Sequence, residues 1–164
     1  MNEGAVKSTI HGTLVVINGK GVLILGDSGS GKSDRALTLI SKGHKLVADD
    51  VVVLGIKGRK LIGEAPKRFI GLLNIRGIGV IDVIKLFGED AYQAKAPIDS
   101  VVEIVKGGNP GGEHQIGSIE TEIFGVLLQK FKFVDDSTRD LAVLIETATR
   151  LLDRPEALRT LVSL

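Results

Sequence analysis

Val22-Leu23-Ile24-Leu25-Gly26-Asp27-Ser28-Gly29-Ser30-Gly31-Lys32-Ser33-Asp34 is the stretch on which the reading of this chain turns. The apolar run Val22 to Leu25 has the length and composition of a buried strand. Gly26 to Ser33 then fill every slot of the pattern G-x-x-x-x-G-K-[ST]. From Asp34 to Lys42 the apolar positions Ala36, Leu37, Leu39 and Ile40 make one helical face. Strand, glycine loop and helix therefore follow in the order that a phosphate-binding loop requires. Glycines let the backbone turn tightly enough for successive N–H groups to surround a phosphate, and the helix N-terminus adds its positive dipole end. On this reading Gly26, Asp27, Ser28, Gly29, Ser30, Gly31, Lys32 and Ser33 bind a nucleotide. Lys32 supplies a point charge to the β- and γ-phosphates, and the Ser33 hydroxyl ligates Mg²⁺. A glycine- and serine-rich connector that matches by chance is the alternative, and the flanking strand and helix weigh against it.

Upstream, Thr13 to Ile17 and Val22 to Leu25 flank Asn18-Gly19-Lys20-Gly21, and Asn-Gly between β-branched runs signals a hairpin because both residues tolerate positive φ. The strand feeding the loop is then one arm of a hairpin, which predicts an α/β fold with a mixed sheet rather than a wholly parallel one. Downstream, Gly43 stops the helix, and Lys45 to Leu54 is β-rich apart from Asp49-Asp50. Lys57 to Lys60 reads as a turn into a short strand at Leu61-Ile62. Pro66 suits the first turn of a short helix through Leu73, and Arg76-Gly77-Ile78-Gly79 forms a second glycine loop. Further strands are expected at Val101 to Val105, Gly125 to Leu128 and Lys130 to Val134, with an exposed loop over Gly107 to Gly112. Leu141, Leu144, Ile145, Ala148, Leu151 and Leu152 give the stretch Leu141 to Leu152 a core-facing helical stripe. Pro155 breaks it, and Glu156 to Val162 is expected to form a short terminal helix.

Composition narrows the function. With 164 residues the chain suits one domain, 1–164, and is short for two. Hydrophobic residues at 43% and charged residues at 25% describe a soluble globular protein, and no apolar run is long enough to span a bilayer. No secretory signal marks the start, so a cytoplasmic location and no membrane partner are expected. The absence of cysteine rules out disulfides, thiolate metal sites and cysteine nucleophiles. A net charge of +1, one tyrosine and no tryptophan leave no basic cluster interleaved with aromatics, so no nucleic-acid partner is expected.

Phosphoryl transfer needs charge neutralisation, a metal, and a group that orients or deprotonates the nucleophile. For the third part, Asp49 and Asp50 follow Leu46-Val47-Ala48. Adjacent strand residues point to opposite faces, so only one is expected to face the phosphates, and spacing alone does not choose between them. Both could also begin a turn. His11 precedes the hairpin that ends in the phosphate loop, where its imidazole could fold back toward a nucleotide or simply sit in an ordinary turn. Arg76, fixed between glycines, could clamp phosphate oxygens bidentately or form a surface ion pair. His44 and His114 have no metal-ligand spacing and read as surface residues.

Taken together, His11-Gly12, Gly26 to Ser33, Val47-Ala48-Asp49-Asp50, Ile75-Arg76-Gly77-Ile78-Gly79 and Leu86-Phe87-Gly88 resemble, in order and spacing, the catalytic domain of HPr serine kinase/phosphorylases. The resemblance implies an ATP- and Mg²⁺-dependent kinase acting on a serine of HPr or a related phosphocarrier. It also implies a nucleotide-binding core similar to that of phosphoenolpyruvate carboxykinase, and a homo-oligomer, a hexamer in that family. It makes Asp50 the general base, His11 and Arg76 catalytic, and Asp49 supporting. It also implies the short, catalytic-core form without an N-terminal domain. Two positions and one short stretch depart from the family pattern. Asn74 stands where a metal-binding glutamate is usual, which offers Mg²⁺ a neutral oxygen in place of a carboxylate. Gln115 replaces an arginine, and Ser137-Thr138-Arg139-Asp140 replaces a Pro-Gly-Arg-Asn loop linked to phosphorolysis, keeping Arg139 only. Lost positive charge implies that phosphorolysis is weakened while kinase chemistry survives. Two other functions fit the same core: a nucleotide-binding regulator with little catalysis, and a kinase of a different acceptor.

Overall fold

The computed structural model describes residues 7–106, 119–135 and 138–159. The loop expected over Gly107 to Gly112, together with His114, Gln115 and Ser137, lies outside them. The chain begins with β1 (Ser8–His11), β2 (Thr13–Ile17) and β3 (Lys20–Gly26), which leads through the glycine loop into α1 (Lys32–Ser41). Next come β4 (Lys45–Ala48), β5 (Val51–Lys57), β6 (Lys60–Glu64), β7 (Leu72–Ile75), β8 (Gly79–Asp82) and α2 (Val83–Phe87). The remaining elements are β9 (Lys95–Pro97), β10 (Ser100–Lys106), β11 (Ile119–Ile123), β12 (Val126–Asp135) and α3 (Leu141–Asp153).

Three sheets form: a six-stranded one in the order β11-β12-β10-β3-β2-β4, a four-stranded one in the order β1-β5-β6-β9, and the ribbon β7-β8. The larger sheet is mixed, as the hairpin predicts. β10 runs parallel to both β3 and β12, while β2 is antiparallel to β3 and β11 to β12. Asn18 (φ 49°) and Gly19 (φ 82°) close the β2–β3 hairpin, both in the left-handed conformation that a two-residue turn of this kind demands.

Why β2 and β3 read as continuous apolar runs is visible in their packing. Every residue of β2 is buried. Val15, Ile17, Val22 and Ile24 face one core with Ala36, Leu39 and Ile40 of α1 and Leu141, Ala142 and Ile145 of α3. Leu14, Val16 and Leu23 face a second core with Val52, Leu54 and Leu61 of the smaller sheet. The central strands are covered on both faces, by helices on one side and by a sheet on the other, so no polar alternation survives in them.

The helices end as their sequences dictate. Gly43 (φ 101°) takes the left-handed position after α1, with its N–H on the Ile40 carbonyl (2.9 Å) and that of His44 on the Leu39 carbonyl (3.0 Å). This paired closure satisfies carbonyls that the helix leaves open. Asp140 caps α3 by accepting from the Val143 N–H at 3.3 Å.

Some expectations are corrected. The stretch Lys45 to Leu54 is two strands in different sheets, with Asp49-Asp50 forming the corner between them. After Pro66 only Lys67–Phe69 make a 3₁₀ turn. Leu72–Ile75 is a strand whose Leu73 and Ile75 are buried, because it pairs with Gly79–Asp82 across the Arg76-Gly77 turn. The strands expected at Gly125 to Leu128 and Lys130 to Val134 form one continuous strand, β12, folded against β11 across Phe124-Gly125. Of the terminal helix, one 3₁₀ turn, Pro155–Ala157, is seen among the described residues. No helix of the described residues is long and apolar enough to cross a membrane.

His44 is mostly buried rather than a surface residue, and its Nε2 bonds the Glu146 carboxylate of α3, which also accepts from Lys42 Nζ at 3.1 Å. This pair ties the end of α1 to α3. The hydrogen bond from His44 holds the Glu146 carboxyl below its ordinary value of 4.5, outweighing the upward push of burial. A lowered folded-state value stabilises the fold above the unfolded value, and that contribution is lost as pH falls through the folded one. Glu146→Gln should therefore cost about 1 kcal/mol at neutral pH in denaturant unfolding. The gap to the parent protein should narrow as pH falls below the ordinary glutamate value and close once the lowered Glu146 carboxyl takes up its proton.

Candidate functional site

The parallel strands β3, β10 and β12 end on the same side of the large sheet, and open α/β sheets bind ligands beyond those carboxyl ends. At the end of β3 the chain turns through Gly29 (φ 82°) and Gly31 (φ 91°) before entering α1. A side chain at either would be strained, so the sequence can make this loop only with glycines there. The loop borders a cleft of about 780 Å³ lined by His11, Gly26, Asp27, Ser28, Gly29, Gly31, Lys32, Ser33, Asp34, Asp49, Asp50, Asn74 and Arg76. That volume is typical of small-molecule sites, which run to roughly 300–1,000 Å³.

Thirteen residues from four separate segments thus meet, and all but one of the residues assigned to nucleotide, metal or catalysis in the sequence are among them, whereas Thr138, Arg139 and Asp140 are not. The exception is Ser30. Its side chain is buried beneath the loop, without a partner for its hydroxyl among the described residues, and a Cβ placed on Gly26 would lie 2.5 Å from that oxygen. Ser30 therefore packs the loop from below while its neighbours line the cleft.

Lys32 folds back over the loop and donates to the carbonyls of Gly26 (2.8 Å) and Asp27 (3.1 Å), acceptors that phosphate oxygens can replace. Ser33, one residue on, donates to both carboxylate oxygens of Asp49, at 2.9 and 3.0 Å. Asp49 is only 7% exposed and accepts further from Thr13 Oγ1 (2.9 Å) and from the backbone N–H of Asn74 (3.2 Å). These bonds offset the cost of burying a carboxylate and fix its direction. Ser33 and Asp49 are a suitable pair for Mg²⁺, a hard cation held by one or two carboxylates together with substrate phosphates. Among the described residues no larger group of His, Cys, Asp and Glu converges into a metal site, and Mg²⁺ in such a setting needs none.

Asp50 is differently built. Its φ of 69° and the 2.7 Å bond from the Val51 N–H to the Asp49 carbonyl make a γ-turn centred on a non-glycine residue, a rare and costly shape. The turn sends Asp49 inward to Ser33 and leaves Asp50 exposed on the cleft. Strand alternation does not separate the two carboxylates, because neither lies on a strand; the corner does. The Asp50 carbonyl accepts from the Gly12 N–H at 3.1 Å, and His11 pairs with Val51 across β1 and β5. His11 thus reaches the cleft through an inter-strand register. Asn74 and Arg76 arrive on the β7–β8 ribbon, Asn74 meeting Asp49 through its backbone.

Two neighbours of the cleft residues were not anticipated. Thr13 opens β2 and looks like an ordinary β-branched residue until the fold sets it on Asp49. Lys106 closes β10, and its place near the loop follows from the pairing of Ile104 with Gly26, which no local pattern shows.

Residues 2–157 match the HPr serine kinase C-terminal domain family. The chain belongs to this family. It is 44% identical over 147 residues to an HPr kinase/phosphorylase of Latilactobacillus sakei and 39% identical over 150 residues to one of Burkholderia lata. These alignments cover 88% and 89% of this chain but 47% and 46% of the relatives, so the chain spans about half the length of the curated relatives it matches. The solved structure of the Hpr(Ser) kinase/phosphatase from Coxiella burnetii superposes with a TM-score of 0.83 at 35% identity, covering 92% of this chain and 93% of that one. The mixed α/β architecture with several sheets is that of this relative.

The γ-turn gives a stability test. Asp50→Gly removes the positive-φ cost and should raise unfolding stability by about 1 kcal/mol in denaturant titrations. An unchanged or lower midpoint would mean that the Asp50 side chain contributes more to the fold than its backbone shape costs.

Proposed function

We propose that this domain transfers the γ-phosphoryl group of ATP, bound with Mg²⁺, to a serine hydroxyl of an HPr-type phosphocarrier protein. The observation that carries the reading is the division between adjacent carboxylates: Asp49 is buried on Ser33 and Asp50 is exposed on the same cleft. The names of the relatives support the acceptor. The core is proposed to be a single nucleotide-binding domain resembling that of phosphoenolpyruvate carboxykinase, and the protein to assemble as a homo-oligomer.

In this mechanism the loop N–H groups and Lys32 take the β- and γ-phosphate oxygens, Lys32 exchanging its carbonyl acceptors for them. Ser33 and Asp49 hold Mg²⁺, which when bound neutralises charge on the phosphates. Asp50 accepts the proton of the acceptor serine as its oxygen bonds to the γ-phosphorus. The bond from that phosphorus to the bridging oxygen breaks, and ADP leaves with the electron pair. His11 and Arg76 face the same space and stabilise negative charge on the transferred group. Asn74 reaches Asp49 through its N–H and offers the metal at most an amide oxygen, a weaker ligand than carboxylate. The reverse, phosphorolytic reaction is proposed to be weak, since Gln115 and the Thr138-Arg139-Asp140 stretch carry less positive charge than the family pattern and Asp140 is engaged in capping α3.

Labelled γ-phosphate from ATP should appear on serine of a purified HPr-type protein and vanish with Lys32→Ala. Asp50→Asn should lower the rate by about 10²–10⁴-fold with ATP affinity nearly unchanged. Full transfer by Asp50→Asn would remove its role as base. Tight ATP binding with no transfer by the parent protein would favour a regulator or a different acceptor.

A further inference from the structure

Several cationic side chains surround the phosphate loop, and they differ in what they touch. Lys32 is bonded to the loop carbonyls, and Arg35 of α1 is held by Asp135 at the end of β12, 2.7 Å away. Arg76 and Lys106 have no such acceptor among the described residues, and both are exposed. They nonetheless converge. A Cβ placed on Gly29, in the middle of the loop, would lie 3.3 Å from Arg76 Nη2 and 3.7 Å from Lys106 Nζ.

Their backbones come from opposite directions. Arg76 stands at the turn of the β7–β8 ribbon, and Lys106 ends β10, which runs beside β3 in parallel with Ile104 opposite Gly26. The strand register alone therefore carries residue 106 past the start of the loop. Two like charges brought over one glycine repel each other, and an anion between them turns that repulsion into two attractions. The absent side chain at Gly29 leaves room for it. Lys106 adjoins the cleft at Gly29, one of its lining residues, while Lys32 and Ser33 approach from the first turn of α1.

We infer that Lys106 pairs with Arg76 as a clamp across Gly29 that takes the terminal phosphate of a bound nucleoside triphosphate. The assignment rests on the nucleotide reading given above. Arg76 supplies a planar fork for two oxygens and Lys106 a movable point charge for the third. A nucleoside diphosphate, lacking that group, gains little from the clamp. Free inorganic phosphate has the same chemistry and is the other source of anion for this position.

Calorimetric titration of a non-hydrolysable ATP analogue, of ADP, and of inorganic phosphate in the presence of ADP separates these cases. Lys106→Met should weaken binding of the triphosphate analogue about tenfold and of ADP less than about twofold, whereas Lys106→Arg should retain most of the affinity. Lys106 is exposed at a strand end, so both variants should melt as the parent protein does. Equal losses for analogue and ADP, or no loss for either, would overturn the clamp. A loss confined to inorganic phosphate would overturn the assignment to the nucleotide's terminal phosphate. Lys32→Ala run alongside tells the two levels apart. If the parent protein binds no nucleotide, or binds it independently of Lys32, the nucleotide reading itself fails and takes the clamp with it.

Discussion

A single buried carboxylate joins the parts of this protein. Asp49 accepts from Thr13 at the start of β2, from Ser33 in the first turn of α1 and from the backbone of Asn74 on β7. The large sheet, the helix behind the glycine loop and the ribbon carrying Arg76 are thereby tied to one another. Each donor also helps to make the burial of a charge tolerable, and removing one leaves the others holding an under-satisfied carboxylate. Such a network has little freedom, so the hydroxyl of Ser33 is aimed before any ligand arrives. Preorganised polar groups of this kind need no rearrangement when a metal–phosphate complex enters.

The corner at Asp49-Asp50 extends the same constraint toward the acceptor side. A γ-turn with positive φ at an aspartate is held in place by the antiparallel pairing of β1 with β5 on one side and the β4 strand on the other. Within two residues the chain passes from one sheet to the next and places one carboxylate buried against Ser33 at the floor of the cleft and the other exposed on it. The two neighbours therefore experience unlike environments, which suits one to a fixed metal-holding part and the other to proton transfer. His11 joins them because the register of β1 brings it beside the turn.

Much of this was legible in the chain, for identifiable reasons. The glycine loop between β3 and α1 announces itself because its glycines, lysine and serine are contiguous, and the hairpin before it because Asn-Gly suits its turn so well. The amphipathic stripe of α3 reports one-sided burial directly. What escaped depends on partners distant in sequence. Leu72-Leu73 resembled the tail of a helix because a proline lay upstream, and only the pairing of Leu72 to Ile75 with β8 makes the stretch a strand. β1 and β9 are short edge elements defined by their neighbours. The choice between Asp49 and Asp50 required a corner that alternation along a strand misdescribes. Thr13 and Lys106 carry no local signal at all, since a threonine in a β-branched run and a lysine at a strand end are commonplace.

The Mg²⁺ dependence of ATP binding in Asp49→Asn tests the central role of this carboxylate most directly. An asparagine can still accept from the Asn74 N–H through its amide oxygen while its NH₂ donates to the Thr13 hydroxyl, so the fold should persist while the negative charge beside Ser33 is lost. Metal-free ATP binding should then stay close to that of the parent protein, and the gain in affinity on adding Mg²⁺ should disappear. A variant whose Mg²⁺ titration matched that of the parent protein would show that Asp49 serves the fold alone and that the metal is held elsewhere.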